Sequence, residues 1–205
     1  MERLICVLVG YVFGLIQTGY IYGKKNGVDL RKKGSGNAGT TNALRTMGWK
    51  AGAVTLLGDC FKCVAAVVVV HLIYGKTHTD MMPLLSMYAG MGAVLGHNYP
   101  FYLKFKGGKG IAATAGLIIS TTNIWIVLIC LAAFIAIVAT TRYVSLGSMA
   151  VVTIYLISVI VYGQHGGFGV ENVSYLYEMY GVAAFLMVLA FWRHRANIKR
   201  LLSGT

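Results

Sequence analysis

Residues Gly110–Thr141 form a run without a single charged side chain, and the chain contains five further apolar runs with few charges. These are, in order, Leu4–Gly23, Ala51–Tyr74, Met81–Gly96, Met149–Tyr162 and Tyr175–Trp192. Apolar runs of this length are typical of helices that span a membrane. Only 12% of all residues are charged, about half the share found in a soluble domain. The sequence therefore predicts an all-α, polytopic integral membrane protein.

The run Gly110–Thr141 is too long to be one membrane helix. A single helix over it would be about 48 Å long, whereas the apolar core of a bilayer is about 30 Å thick. The polar residues Ser120-Thr121-Thr122-Asn123 favour a turn within it. We therefore expect a hairpin, with a short helix over 110–120 and a full helix over 123–140. This gives about seven transmembrane helices, one of them short, in a single domain over residues 1–205.

The basic residues predict how these helices are oriented. With seven helices, the loops 24–50, 98–109 and 142–147 and the tail after 192 share one face, and they hold fifteen of the eighteen Lys and Arg residues. Basic loops mark the cytoplasmic side of a membrane protein. The N-terminus is therefore predicted outside and the C-terminus in the cytoplasm. The same pattern accounts for the net charge of +12, so nucleic acid is not an expected partner.

The segment KKGSGNAGTTNALR, residues 32–45 and here called the first glycine loop, has the spacing Gly-x-Gly-x-x-Gly of dinucleotide-binding folds. That fingerprint needs a buried strand before it, and Lys32 and Lys33 stand where the strand would be. We instead expect a glycine-rich backbone that turns N–H groups toward an anion, helped by side-chain donors and a phosphate-binding arginine. The candidate residues are Gly34, Ser35, Gly36, Asn37, Thr41, Asn42 and Arg45. The alternative is a flexible loop in which Asn42 caps a short helix, Ala43–Met47.

The segment GHNYPFYLKFKGGKG, residues 96–110 and here called the second glycine loop, joins the third apolar run to the expected short helix. It is not a P-loop for nucleotides, because the P-loop spacing is absent and glycine stands in place of its serine or threonine. Its lysines surround a Gly-Gly-Lys-Gly turn at a predicted helix N-terminus, which favours an anion. The candidate residues are His97, Lys104, Gly107, Gly108, Lys109 and Gly110. His97 is either a functional group or a hydrogen-bonded structural residue.

Two pairs of residues inside the second apolar run have competing interpretations. Asp59 and Lys62 stand three residues apart, and such a pair is either functional or a mutual neutralisation of two charges that are costly in a membrane. Cys60 and Cys63 have the spacing of a redox motif, but buried packing residues are the better interpretation of that spacing alone. The predicted cytoplasmic face lacks a cluster of side chains at metal-ligand spacing, so we expect no metal site.

Three further candidates lie on the predicted cytoplasmic face. Ser145 is in the segment 141–149, and His194 and Asn197 are in the basic tail. Ordinary helix ends with cytoplasmic charge are the alternative for these positions. Two anion-binding loops next to apolar helices suggest an enzyme that joins a phosphorylated polar molecule to an apolar one at the inner membrane surface. A transporter of an organic phosphate is the rival interpretation, because it too would use basic, glycine-broken segments.

Four segments, taken in order, resemble one family of bacterial membrane enzymes. They are GSGNAGTTNALRTMG, GHNYPFYLKFKGGKGIAATAG, SLGSM and HRANIKRLLSGT. The segment LLGDCFKC is similar to the family's L-D-x-x-K-G motif and departs from it at Gly58 and Cys63. The family is that of the glycerol-3-phosphate acyltransferases that use acyl phosphate as donor (the PlsY family). The resemblance extends over essentially the whole chain.

This resemblance implies transfer of the acyl group of acyl phosphate to sn-glycerol 3-phosphate, the first acylation of phospholipid synthesis, in the inner membrane of a bacterium. It implies no cofactor and no metal, and it makes membrane lipid and the enzyme that forms acyl phosphate candidate partners. The implied catalytic residues are Ser35, Asn37, Arg45, His97 and Lys104. The implied substrate-binding residues are Gly34, Gly36, Thr41, Asn42, Gly107, Gly108, Lys109, Gly110, Ser145, His194 and Asn197.

For this reaction, the residue types of the two loops suggest a division of work between them. Ser35, Asn37 and Arg45 would hold the glycerol phosphate with Lys104, and the turn at residues 107–110 would hold the acyl phosphate. His97 would orient a substrate or act as a base, and a substrate phosphate could equally accept the hydroxyl proton. His194 and Asn197 would close the pocket from the tail.

Overall fold

The computed structural model describes residues 1–204, and this part of the chain is helical, without a β-strand. Its α-helices are α1 (Glu2–Gly14), α2 (Thr18–Lys25), α3 (Thr40–Met47), α4 (Trp49–Tyr74), α5 (Met82–Asn98), α6 (Ile111–Thr121), α7 (Ile124–Thr141), α8 (Val144–Gln164), α9 (Val173–Arg193) and α10 (Arg195–Leu202). Short 3₁₀ turns occupy Leu30–Lys32 and Phe101–Leu103. The all-α prediction is confirmed for the described residues, and Thr205, the end of the last resembling segment, lies outside them.

Five helical segments are long and apolar enough to cross a membrane. They are Glu2–Lys25, which comprises α1 and α2, and the helices α4, α7, α8 and α9. The helix α6 is apolar but has only 11 residues, as expected for the short helix, and α5 has 17 residues. The polytopic membrane fold agrees with these lengths, while the count of seven spanning helices stays a prediction.

The predicted break inside the long uncharged run is confirmed. The helix α6 ends at Thr121 and α7 begins at Ile124, within one residue of the expected bounds. The Asn123 side chain accepts a hydrogen bond from the backbone N–H of Ile126 at 3.0 Å, so it caps α7. The polar residues at this position therefore stop one helix and start the next.

The first apolar run is not one continuous helix, because it is interrupted at Leu15–Gln17. The break exposes backbone carbonyls that a continuous helix would satisfy. The Tyr102 hydroxyl donates to the Leu15 oxygen at 2.6 Å, and the Lys62 ammonium donates to the Ile16 oxygen at 2.6 Å. Polar side chains from other segments thus supply hydrogen bonds to the carbonyl groups at the break. The apolar pattern of the sequence does not indicate these contacts.

The chain divides into two compact units, Met1–Ser120 and the part from Thr121 onward. In the first unit, glycines let α1 and α5 pack with their backbones in contact. A Cβ on Gly10 would collide with the Ala89 carbonyl oxygen, and one on Gly92 would collide with the Val7 oxygen. Small residues at such positions are typical of helix packing in membranes. In the second unit, α8 packs against both α7 and α9.

Candidate functional site

The first glycine loop is folded around the side chain of Asn42. This side chain is 3% exposed, and its amide nitrogen donates to the carbonyl oxygens of Leu30, Lys33 and Asn37 at 2.8–3.0 Å. Its amide oxygen accepts from the backbone N–H of Ser35 at 2.9 Å. Asn42 therefore fixes the shape of the loop from within.

The expected helix cap at Asn42 is wrong. The helix α3 begins at Thr40 with Gly39 as its N-cap residue, and no side chain caps it. Asn42 lies in the first turn of α3, with partly buried Thr41 before it. A polar residue near the start of a helix suggests a cap, but here the neighbouring loop takes up the amide instead.

Three backbone N–H groups of the first glycine loop donate hydrogen bonds to acceptors within the loop. Gly34 and Gly36 have positive φ angles of +57° and +69°, a conformation that favours glycine. The N–H of Gly36 donates to the Lys33 oxygen at 3.1 Å, and that of Gly39 donates to the Asn37 side-chain oxygen at 2.9 Å. Together with the N–H of Ser35, these three groups are engaged within the loop. These three N–H groups are therefore not available to a ligand, whereas the Ser35 residue is exposed.

The second glycine loop folds back onto the end of α5. The N–H groups of Gly107 and Gly108 donate to the carbonyl oxygens of Asn98 and His97 at 3.2 and 3.1 Å. A Cβ on either glycine would collide with atoms of this helix end. Gly107 is thus required by a close approach of two backbones, and Gly108 by the His97 side chain. Gly110 follows with a φ of +84°, and α6 starts at the next residue, so the predicted position of the turn at a helix N-terminus is confirmed.

The two loops meet in a cleft of about 440 Å³. Its lining residues are Asp29, Arg31, Lys32, Gly36, Tyr102, Leu103, Lys104 and Lys106. The structure therefore brings predicted Gly36 together with predicted Lys104. Four cationic side chains face one carboxylate in this lining, so the cleft favours anions such as phosphate.

The carboxylate in the cleft is bound to one of the cations. Arg31 donates through Nε and Nη2 to the two carboxylate oxygens of Asp29, at 3.0 and 2.9 Å. These hydrogen bonds lower the pKa of Asp29 to about 2, and those to Asp29 raise the pKa of Arg31. The guanidinium also lies 4.6 Å above the centre of the Tyr20 ring. Arg31 is thereby held in one orientation at the cleft.

Arg31, Lys32 and Lys106 line the cleft, although the sequence does not distinguish them as site residues. Their signal was weak, because basic residues are ordinary on the cytoplasmic face of a membrane protein. Only the meeting of the two loops distinguishes them from the other basic residues. Lys109, which also belongs to the second glycine loop, is partly buried and lies outside the lining of the cleft.

A buried polar cluster lies beneath the second glycine loop. Lys62 Nζ is 2.8 Å from Asp59 Oδ1 and 2.8 Å from His97 Nδ1, and His97 is 2% exposed. A Cβ on Gly108 would collide with His97 Nε2, so the imidazole lies directly against the loop. The pair of charges in α4 is therefore neutralised mutually and is also connected to His97.

The remaining predicted site residues lie outside the lining of the cleft. Arg45 is exposed on α3 in the first unit. Ser145, His194 and Asn197 belong to the second unit. Ser145 is in the first turn of α8, which begins at Val144, so the predicted loop 142–147 is shorter than expected. His194 is 3% exposed, with Nδ1 2.8 Å from the Ala190 oxygen, and Asn197 is in α10.

Side chains that could bind a metal ion are not grouped together, and the two cysteines with redox-motif spacing lie at a helix–helix contact. Across residues 1–204, no three His, Cys, Asp or Glu side chains are grouped so that they could hold a metal ion. Cys60 and Cys63 are free thiols, and a Cβ on Gly116 would touch both residues. They therefore lie where α6 packs on α4.

Comparison with known proteins gives one consistent result. A sequence model of the family described as glycerol-3-phosphate acyltransferase matches residues 4–204. A glycerol-3-phosphate acyltransferase of Clostridioides difficile (strain 630) is 43% identical over 203 residues, which is 98% of this chain and 93% of that protein.

Two crystal structures of PlsY, an integral membrane glycerol 3-phosphate acyltransferase, share the fold. In its glycerol 3-phosphate form, PlsY matches 100% of this chain and 94% of its own, with a TM-score of 0.83 and 31% identity. In its lysophosphatidic acid form it matches 100% and 93%, with a TM-score of 0.82 and 30% identity. Sequence and fold thus agree over the full length of the chain, which belongs to the glycerol-3-phosphate acyltransferase family of integral membrane proteins.

Proposed function

We propose that this protein transfers the acyl group of acyl phosphate to sn-glycerol 3-phosphate, which gives 1-acylglycerol 3-phosphate (lysophosphatidic acid) and phosphate. The observation that carries the proposal is the cationic cleft at which the two glycine loops meet. Both substrates of this reaction carry a phosphate, and the acyl chain of one needs an apolar environment. A cationic cleft in a protein of membrane helices provides both. Relatives in forms with glycerol 3-phosphate and lysophosphatidic acid support this choice of acceptor and product.

The main task of the protein in this reaction is to hold two phosphates close together despite their repulsion. Arginine suits this task because its planar fork can bind two oxygen atoms of a phosphate. In our proposal the fork is that of Arg45, while Lys104, Lys106 and Arg31, whose Nε and Nη2 are bound to Asp29, add positive charge for the two substrates. Ser35 and Asn37 orient the glycerol hydroxyl. The cost of bringing the anions together is thus offset by fixed positive charge.

The turn at residues 107–110 is proposed to hold the acyl phosphate, with Lys109 as its cation. Because Gly107 and Gly108 donate their N–H groups to α5, this role depends on Lys109 and on the start of α6. The first N–H groups of a helix have no partner within the helix and favour an anion. Ser145, His194 and Asn197 are proposed as further substrate-binding residues on the basis of the family resemblance.

The chemistry does not require an acyl-enzyme. Acyl phosphate is a mixed anhydride, so its carbonyl carbon is already activated. The hydroxyl oxygen of glycerol 3-phosphate attacks this carbon, an ester bond forms, and the bond to the bridging phosphate oxygen breaks. Phosphate leaves with the electron pair, and the hydroxyl proton passes to a base. Alignment of the two substrates is the main contribution expected of the protein.

We also propose a place for the protein in the cell. The distribution of Lys and Arg supports an inner-membrane protein with its N-terminus outside and its C-terminus in the cytoplasm. The two glycine loops would then face the cytoplasm, where glycerol 3-phosphate is soluble, and the acyl chain would lie among the helices. The enzyme that forms acyl phosphate is the proposed partner on that side.

A comparison of acyl donors tests this proposal. The full chain is purified in detergent and given glycerol 3-phosphate with acyl phosphate or with acyl-CoA, in parallel and with EDTA present. We expect lysophosphatidic acid from acyl phosphate alone. Equal rates of lysophosphatidic acid formation with acyl-CoA would contradict the proposal that acyl phosphate is the donor. If liposomes containing the protein instead moved glycerol 3-phosphate across the membrane without making lipid, the chain would be a transporter.

A further inference from the structure

The buried cluster beneath the second glycine loop uses every hydrogen of the Lys62 ammonium. Its Nζ lies 2.6 Å from the Ile16 oxygen, 2.8 Å from Asp59 Oδ1 and 2.8 Å from His97 Nδ1. The side chains of Lys62 and Asp59 are only 3% and 1% exposed. An ammonium group has three N–H donors and no acceptor. All three neighbouring atoms must therefore accept a hydrogen bond from it.

The charges in the cluster support a charged Lys62 beside a neutral His97. A carboxylate as buried as that of Asp59 needs a cation in contact with it, and Lys62 is that cation. His97 Nδ1 is 3.6 Å from Asp59 Oδ1, which is too long for a hydrogen bond. A proton on Nδ1 would point at the ammonium from 2.8 Å and leave one ammonium hydrogen without an acceptor. With Lys62 as the cation of the buried pair, Nδ1 carries the lone pair that accepts from the ammonium.

We propose that Lys62 is a positioning residue that fixes His97 as a neutral imidazole with its proton on Nε2. Nε2 is the atom that lies against Gly108. His97 is thus a hydrogen-bond donor at the second glycine loop, and in this state Nε2 has no lone pair with which to accept a proton. The assignment deepens the proposed function, because it decides between the two roles considered for His97. The protonation state itself does not depend on the reaction.

The same three contacts also make Lys62 a link between three segments of the first unit. The Ile16 oxygen is one of the carbonyls left by the break between α1 and α2, so one ammonium group connects this break, α4 and the end of α5. A donor held at Nε2 by such a cluster can stabilise negative charge that develops beside the loop, without reorganisation during the reaction. Because Nε2 has no lone pair in this state, His97 does not take the hydroxyl proton of glycerol 3-phosphate, which leaves to another group.

Nitrogen NMR tests the protonation state without any substrate. The full chain is labelled with ¹⁵N-histidine in detergent micelles, and the His97 signals are identified by their loss in the His97→Gln variant. We expect one protonated nitrogen, Nε2, and one unprotonated nitrogen, Nδ1. In Lys62→Met this pattern should change, and in the exposed control Lys76→Met it should not. A proton on Nδ1 in the wild-type protein, alone or together with one on Nε2, would overturn the proposal, as would an unchanged pattern in Lys62→Met.

Removing Lys62 leaves the Asp59 charge buried without its cation, so Lys62→Met risks misfolding. The double variant Asp59→Asn with Lys62→Met removes both charges and keeps the volumes similar. It should fold and show the same loss of the Nε2–H pattern, whereas a wild-type pattern in it would overturn the proposal. If neither variant folds, the wild-type spectrum by itself still supports or overturns the assigned protonation state.

Activity distinguishes a donor from a base. Glutamine at position 97 places an amide N–H near the position of Nε2 but cannot act as a base, whereas asparagine is too short to reach it. We expect His97→Gln to keep activity within about tenfold of wild type, and His97→Asn to lose about 10²-fold or more, as for loss of a catalytic group. Equal, large losses in both would overturn the donor role. A wild-type protein that made no lysophosphatidic acid would refute the proposed function and leave the NMR result standing.

Discussion

At the scale of the residue, Lys104 combines an unusual backbone with a place in the cationic cleft. Its φ and ψ are 54° and 40°, and Phe105 follows with a φ of 59°. Residues other than glycine rarely adopt this left-handed backbone conformation, which costs on the order of 1–3 kcal/mol. The N–H of Phe105 donates to the Pro100 oxygen at 3.0 Å and helps to hold the turn. Such strain is typical of functional positions.

Replacing Lys104 should therefore abolish most activity without unfolding the protein. Lys104→Ala leaves phosphate charge unmatched in the transition state, and we expect kcat/KM to fall by about 10²-fold or more. The control is Lys33→Ala, which removes an exposed lysine of the first glycine loop outside the lining of the cleft. Initial rates over a range of glycerol 3-phosphate concentrations measure both variants. Near-normal kcat/KM in Lys104→Ala would show that the cleft is not the phosphate site.

Ser35 is the obvious nucleophile by residue type, yet we propose that its hydroxyl only donates a hydrogen bond. Its N–H is bound to Asn42, and its exposed hydroxyl stands between two glycines without the Gly-x-Ser-x-Gly arrangement of serine hydrolases. We expect no acyl-serine when the protein is incubated with radiolabelled acyl phosphate alone, quenched in acid and digested. Near-stoichiometric label on the Ser35 peptide, removed by glycerol 3-phosphate at the turnover rate, would establish a covalent mechanism instead.

At the scale of the element, the sequence predicted the long helices well and the break in the first one not at all. Long apolar runs define their own helices, and polar Asn123 marks a helix start through contacts within three residues. The break at Leu15–Gln17 depends on Tyr102, whose hydroxyl reaches it from 87 residues away. Contacts of that separation leave no periodic signal in the sequence.

Close helix packing makes a second prediction at this scale. Gly92→Ala should destabilise the first unit by about 1–3 kcal/mol, because the added methyl group would collide with the Val7 oxygen of α1. Gly181→Ala is the matched control, since a Cβ there meets no atom within 4 Å and alanine favours a helix. Thermal unfolding in detergent measures both. A melting temperature for Gly92→Ala equal to that of the control would contradict the close packing of α1 and α5.

At the scale of the whole molecule, the sequence located both glycine loops but not the cleft between them. Gly36 and Lys104 were each selected for local reasons, and only the fold places them in one lining. Arg31 was missed because its importance depends on Asp29, Tyr20 and the second loop together. Apolar patterning predicts which segments are helices, whereas a site depends on which loops those helices bring together.

The orientation in the membrane can be tested with single cysteines on a cysteine-free background. Thr77 is exposed after α4 and Lys33 is exposed in the first glycine loop, and the predicted topology places them on opposite faces. A membrane-impermeant maleimide should label Thr77→Cys in intact spheroplasts and Lys33→Cys only after lysis. The reverse pattern would invert the proposed topology and move the cleft to the outside.

The most direct test of acyl transfer from acyl phosphate follows both parts of the donor through the reaction. Acyl phosphate labelled with ³²P is given to the purified protein with ¹⁴C-glycerol 3-phosphate, and the lipid and aqueous products are counted. Direct transfer predicts one ¹⁴C-lysophosphatidic acid for each ³²P-phosphate released, with no ³²P in the lipid. Phosphate released without lipid formation, or ³²P found in the lipid, would contradict acyl transfer from acyl phosphate.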